Sequence, residues 1–95
     1  MTSIFEIRDK TKRKIRLSEE RWKHITAEHP NVTHIEDIQQ TIINPIKITP
    51  SKYNPENVCY YYRYDKMLRK YLMVAVRYLN GEGYIITAYH MQNIK

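Results

Sequence analysis

The chain has 95 residues, 42% hydrophobic and 27% charged, with a formal net charge of +6 and a pI near 9.5. That is enough for one domain (1–95) with a single modest core, and it contains no apolar run of bilayer-spanning length, so no membrane partner is expected. A single cysteine, Cys59, excludes an internal disulfide and a paired-cysteine metal cluster, and the N-terminus lacks a signal-peptide core, so the expected location is cytoplasmic.

Ser3 to Arg8 alternates apolar and polar residues, as does Arg13 to Leu17, and Asp9 to Lys12 between them is turn-like; the pair predicts a short β-hairpin with a basic outer side. Ser18 is a good N-cap, with Glu19 and Glu20 where the helix dipole favours anions, and Leu17 and Trp22 have hydrophobic-staple spacing. This helix ends near Pro30. Trp22, Ile25 and His29 should face the core, and Arg21, His24 and Glu28 form an adjoining stripe. Thr33-His34-Ile35-Glu36 reads as a capping box for a second helix, whose buried face is Ile35, Ile38 and Ile42.

Ile46 to Ile48 is a short strand and 49–57 a loop. Val58 to Tyr64 is a strand, and Asp65 to Arg69 a basic connection. Leu72 to Val76 is an unbroken apolar run. Asn80-Gly81-Glu82-Gly83 follows with both glycines of the chain, and Tyr84 to His90 returns as a strand. If Asn80 pairs with Gly83, Leu72, Val74, Val76 and Tyr78 share a face with Ile85, Thr87 and Tyr89. The opposite face then carries Arg77 with Ile86, Ala88 and His90. On either register Arg77, Thr87, Tyr89 and His90 would lie together at the end of an apolar sheet. The expected fold class is α+β: two N-terminal helices packed on a curved antiparallel sheet of about four strands, preceded by the short hairpin.

The basic charge favours a polyanionic partner, nucleic acid first and an acidic protein second, and the nine tyrosines could stack on unpaired bases or simply suit a half-buried sheet. No phosphate-binding glycine loop, dinucleotide fingerprint or zinc pattern is present, and the spacing of His24 and His29 does not suit two ligands of one metal. No cofactor is expected. What remains is His, Arg, Lys, Thr and Tyr, a set suited to metal-free RNA cleavage. Imidazoles move protons, guanidinium forks match phosphate oxygens, and hydroxyls donate to the same oxygens.

Read together, RLSEERWKHITAEHP, IEDIQQTIINPIKI, CYYYR and YLMVAVRYLNGEGYIITAYH with a trailing Ile94-Lys95 resemble the phage branch of the barnase, EndoU, colicin and RelE-like (BECR) nucleases. The resemblance runs from Leu17 to Lys95. It implies helices against a four-stranded antiparallel sheet, an active site on the sheet's open surface, and a metal-independent ribonuclease acting as a toxin or phage-type effector, with an acidic antitoxin or immunity protein as a second partner. By position, it nominates His24, Arg63, Arg77, Thr87 and Tyr89 as catalytic, with His29 as a secondary candidate; Arg21, from the stripe beside His24, and His90, which follows the matched strand where the family has no fixed residue, are secondary candidates from their own chemistry. Lys47, Lys66, Arg69 and Lys70 read as contacts to transfer or messenger RNA, or as plain surface. Each nominee has a bland alternative: a solvated helix position for His24, a helix-end or core role for His29, strand propensity for Thr87. An inactive binding module for RNA or an acidic protein is the rival reading, and a structural protein with incidental charge is the third. The nuclease reading requires His24, Arg63, Arg77 and Thr87 to converge within reach of one phosphate.

Overall fold

The computed structural model describes residues 3–94; Lys95, the last residue of the matched motifs, lies outside them. The elements are β1 (Ser3–Arg8), β2 (Lys14–Ser18), α1 (Glu19–Glu28), α2 (Ile35–Ile43), β3 (Lys47–Pro50), β4 (Val58–Asp65), β5 (Lys70–Leu79) and β6 (Glu82–Met91). This is the expected order of two strands, two helices and four strands. The hairpin, however, does not precede a separate sheet. The strands form one six-stranded sheet in the order β1-β2-β6-β5-β4-β3. The sheet is mixed, because β2 runs parallel to β6 through Ile15↔Gly83 and Arg16↔Tyr84. Among the described residues no helix is long and apolar enough to cross a membrane.

One sheet face is covered by the helices. Ile25, Val32, Ile38 and Ile42 pack with Ile15, Leu17, Tyr61, Leu72, Val74, Val76, Ile85 and Ala88 in the main core. Ser18 caps α1 as expected, its Oγ accepting from the Arg21 N–H at 3.1 Å. The α2 cap differs from expectation. His34, not Thr33, is the N-cap, and it makes no side-chain cap bond. The Thr33 hydroxyl is engaged instead with His34 Nδ1 at 2.8 Å. The helix is held by its aliphatic face rather than by its start.

The β5–β6 register also differs. The closing pair is Leu79↔Glu82, and the tight loop is Asn80-Gly81, both at positive φ. Asparagine and glycine tolerate that conformation, which matches the twist of the flanking strands. A bulge then shifts the ladder, because Ala75 pairs with Thr87 while Val76 pairs with Ile85. Past the bulge the faces of β6 exchange. Ile85 points to the helices as expected. Thr87 and Tyr89 fall on the open face, and Ala88 and His90 fall on the helix side, the reverse of the sequence expectation. Arg77 and His90 are also not neighbours. Arg77 pairs with Tyr84 near the turn, and His90 pairs with Leu72 at the other end of β6.

The β1–β2 turn is anchored in the core. Asp9, its side chain 3% exposed, accepts from the Thr11 N–H and hydroxyl, the Arg13 N–H and the Tyr61 hydroxyl, with the Tyr78 hydroxyl 3.4 Å away. Tyr61 and Tyr78 also hydrogen-bond each other, and Arg13 lies 3.8 Å above the Tyr78 ring. Burial would raise the Asp9 carboxyl, but the donors around it outweigh that and hold it below the usual range. Burial pushes the Tyr78 phenol up to about 12 and Tyr61 higher still.

Candidate functional site

The four groups expected to converge do not. His24 is exposed on the outer face of α1, beside Glu20, Lys23 and Ala27. Arg63 lies on the helix side of β4, 3.9 Å from Asp37 of α2, near Lys66. Arg77 is on the open face, in a cavity shared with Arg16, Arg21 and Tyr84. Thr87 sits mid-sheet at the bulge, opposite Ala75. Strand parity explains Arg63: its partner is Leu72, which is buried under the helices. Lys47 is exposed on the edge strand, and Lys66 and Arg69 are exposed in the β4–β5 connection. Of these, Lys66 shares a recess with Arg63.

A different subset does come together. Beyond Tyr84, β6 no longer pairs with β2, which has turned into α1. The end of α1 passes this free flank. Pro30 stops the helix at His29, whose backbone N–H bonds to the Ile25 carbonyl at 2.7 Å. With its backbone held, the His29 ring reaches around the strand and lies 5.1 Å from the Tyr89 ring. The result is a cleft of about 310 Å³ lined by Glu28, His29, Asn31, Lys70, Tyr89 and His90. Tyr89 and Lys70 come from the sequence-nominated sets, and His29 and His90 from the secondary set.

His90 is the most constrained member. Its side chain is 6% exposed, and Nε2 lies 3.3 Å from Asp65 Oδ2. Asp65 is itself fixed, accepting from the backbone N–H groups of Met67 and Leu68. Burial raises its carboxyl, yet the Leu68 N–H, His90 and the Met67 N–H together hold it below the usual range. An ionised Asp65 calls for a proton on Nε2, which leaves Nδ1 as the basic nitrogen. Nδ1 is buried and has no hydrogen-bond partner among the described residues. Tyr89 has its phenol pushed up, first by burial and then by Tyr60 and Tyr62, so it stays a hydrogen-bond donor at neutral pH. Sequence reasoning did not find Asp65. Its signal was present in the two hairpins, since Asp65↔Lys70 closes β4–β5 and Leu72↔His90 places the imidazole nearby.

Tyr89 also lines a second recess, of about 290 Å³, with Thr49, Lys52, Tyr60, Tyr62, Met73 and Met91. This is the aromatic centre of the open face. Among the described residues no three His, Cys, Asp or Glu side chains are grouped to hold a metal ion. No family model, curated protein or solved structure matches this chain.

Proposed function

We propose that this chain is a metal-independent endoribonuclease of the BECR type, with the His29–Lys70–Tyr89–His90 cleft as its centre in place of the His24–Arg63–Arg77–Thr87 set. The observation that carries this reading is the pairing of two imidazoles in one cleft with a lysine and a protonated phenol, one imidazole being backed by a carboxylate. Once substrate binding uncovers it, His90 Nδ1 takes the proton of a ribose 2′-hydroxyl. The 2′-oxygen attacks phosphorus, the bond to the 5′-oxygen breaks, and His29 protonates that leaving oxygen. Lys70 and the Tyr89 hydroxyl stabilise the charge gathered on the non-bridging oxygens. The products are a 2′,3′-cyclic phosphate and a free 5′-hydroxyl. A buried nitrogen without a partner costs about 1–3 kcal/mol, and a substrate hydroxyl in the cleft offsets that cost. The net charge of +6 supports capture of RNA.

The test is incubation of end-labelled single-stranded RNA and transfer RNA with the protein in excess chelator. The expected result is cleavage leaving cyclic-phosphate ends. It should be lost in His29→Ala and His90→Ala and retained in His24→Ala. Full activity in the double variant His29→Ala/His90→Ala would refute the assignment. A second reading, an RNA-binding module without catalysis, draws support from the tyrosine recess, whose rings offer stacking platforms for bases. Uncleaved RNA with salt-sensitive binding that depends on Tyr60 and Tyr62 would favour it. Growth arrest on expression, relieved by a co-expressed acidic partner, would identify a toxin.

A further inference from the structure

Another cavity lies toward the other end of β6, where Tyr84 is about 20 Å along the strand from His90 at the usual rise. It opens where β2 and β6 part. They pair only through Ile15↔Gly83 and Arg16↔Tyr84 before β2 turns into α1 and β6 bulges. The gap measures about 470 Å³, within the range of roughly 300–1,000 Å³ in which proteins hold small ligands. Its floor is apolar, from Leu79 and Ile86, with the Tyr84 ring beside it. Three guanidinium groups line it. Arg16 is neutralised by Glu6 at 2.9 Å and Glu82 at 3.3 Å. Glu82 also accepts from the Tyr84 hydroxyl, which holds that ring in place. Arg21 and Arg77 have no carboxylate within ion-pairing distance among the described residues, although Arg77 stands on a sheet face beside apolar neighbours. Two unneutralised cations on one small cavity repel each other, and an anion between them removes that repulsion.

We infer that this cavity binds a nucleotide: the phosphate between Arg21 and Arg77, the base against Tyr84 and the Leu79–Ile86 floor. An inorganic anion would leave the apolar floor empty, and an apolar ligand would leave the guanidinium groups unmatched. The site shares no residue with the His29–His90 cleft, so it stands whether or not the chain cleaves RNA. The nucleotide is either a free monophosphate or a unit of a chain, since both carry the same phosphate and base.

The test is a nuclear magnetic resonance titration of the full chain, labelled with nitrogen-15, using adenosine and uridine 5′-monophosphates, inorganic phosphate and the unphosphorylated nucleosides. Saturable shifts at the Arg77, Tyr84 and Ile86 amides are expected with the monophosphates. Phosphate or nucleoside alone should bind at least about tenfold more weakly. Arg21→Ala and Arg77→Leu, both at exposed positions, should each weaken the monophosphate about tenfold, the effect of losing one charge-assisted partner. The spectrum away from the cavity reports that each variant is folded. His29→Ala should bind the monophosphates unchanged, which separates this site from the cleavage cleft. A dinucleoside monophosphate that binds as tightly as the mononucleotide identifies a chain unit; weaker binding identifies a free nucleotide. No saturable shift at these amides, or undiminished binding in the double variant Arg21→Ala/Arg77→Leu, would overturn the proposal.

Discussion

Replacing Asp9 by alanine should destabilise the fold by about 2–4 kcal/mol. Asp9 accepts four hydrogen bonds, the last from Tyr61, to which Tyr78 donates in turn, and they are not equivalent. Those from Thr11 and Arg13 belong to an exposed turn whose donors can turn to water, so their loss weakens the turn by about 1 kcal/mol. The Tyr61 and Tyr78 hydroxyls are buried. In the variant each can still bond the other, but one of the two must donate to nothing, at about 1–3 kcal/mol. At roughly 4–8 °C per kcal/mol for a domain of this size, the melting temperature should fall by at least 8 °C. The assay is urea unfolding followed by far-ultraviolet circular dichroism, in the wild-type background and in Tyr61→Phe/Tyr78→Phe. Without the hydroxyls only the turn contribution remains, so the cost of Asp9→Ala should drop to about 1 kcal/mol. An equal cost in both backgrounds would refute the account of an orphaned donor.

Stability should also fall on acidification. Asp9 and Asp65 have folded-state carboxyls held below their ordinary values, so the unfolded chain binds more protons. Their stabilisation is fully present above about pH 5, near the unfolded carboxyl range, and is lost as pH falls through the folded values; Asp9→Asn and Asp65→Asn should flatten an unfolding curve measured from pH 6 to pH 3. Gly83→Ala should cost about 1–3 kcal/mol by thermal melting, because an added methyl would sit 2.9 Å from Ile15 Cγ1 and Val76 Cγ1. Under the proposed mechanism, Asp65→Asn should lower cleavage at least tenfold while leaving RNA affinity unchanged, since it frees the imidazole but removes no substrate contact; equal loss of both would mean that the pair is structural.

Much of the layer arrangement was legible because it follows from periodicity. Ile35, Ile38 and Ile42 repeat at helical spacing, and the run Leu72–Val76 between turn signals suggests a covered strand. Ser18 was legible as a cap because its partner lies within the next turn. The bulge was not, since nothing in IITAY marks which residue is unpaired. That one extra residue decides whether Thr87 or His90 faces the helices. The parallel β2–β6 contact was equally hidden, as it joins segments from opposite ends of the sequence. The site followed the same division. His29, Tyr89, Lys70 and His90 were nominated by residue type, but their grouping depends on where α1 ends against a strand paired by long-range contacts. Arg63 was misplaced because its direction is set by register against Leu72, and no local pattern reports that.

The brief parallel contact between β2 and β6 has a consequence for assembly. Strands β3 to β6 form a meander of sequence neighbours that can zip up locally, whereas the N-terminal hairpin must close a loop spanning most of the chain to gain two residue pairs. The meander should therefore close before the hairpin docks, and the docked hairpin is held by buried Ile15 and Leu17 and by Asp9 against Tyr61 rather than by its strand pairing. Hydrogen exchange should find β5 the slowest-exchanging strand and the β2 amides opening well below the global unfolding free energy. Because Arg16 sits on that seam, its opening would widen the arginine cavity.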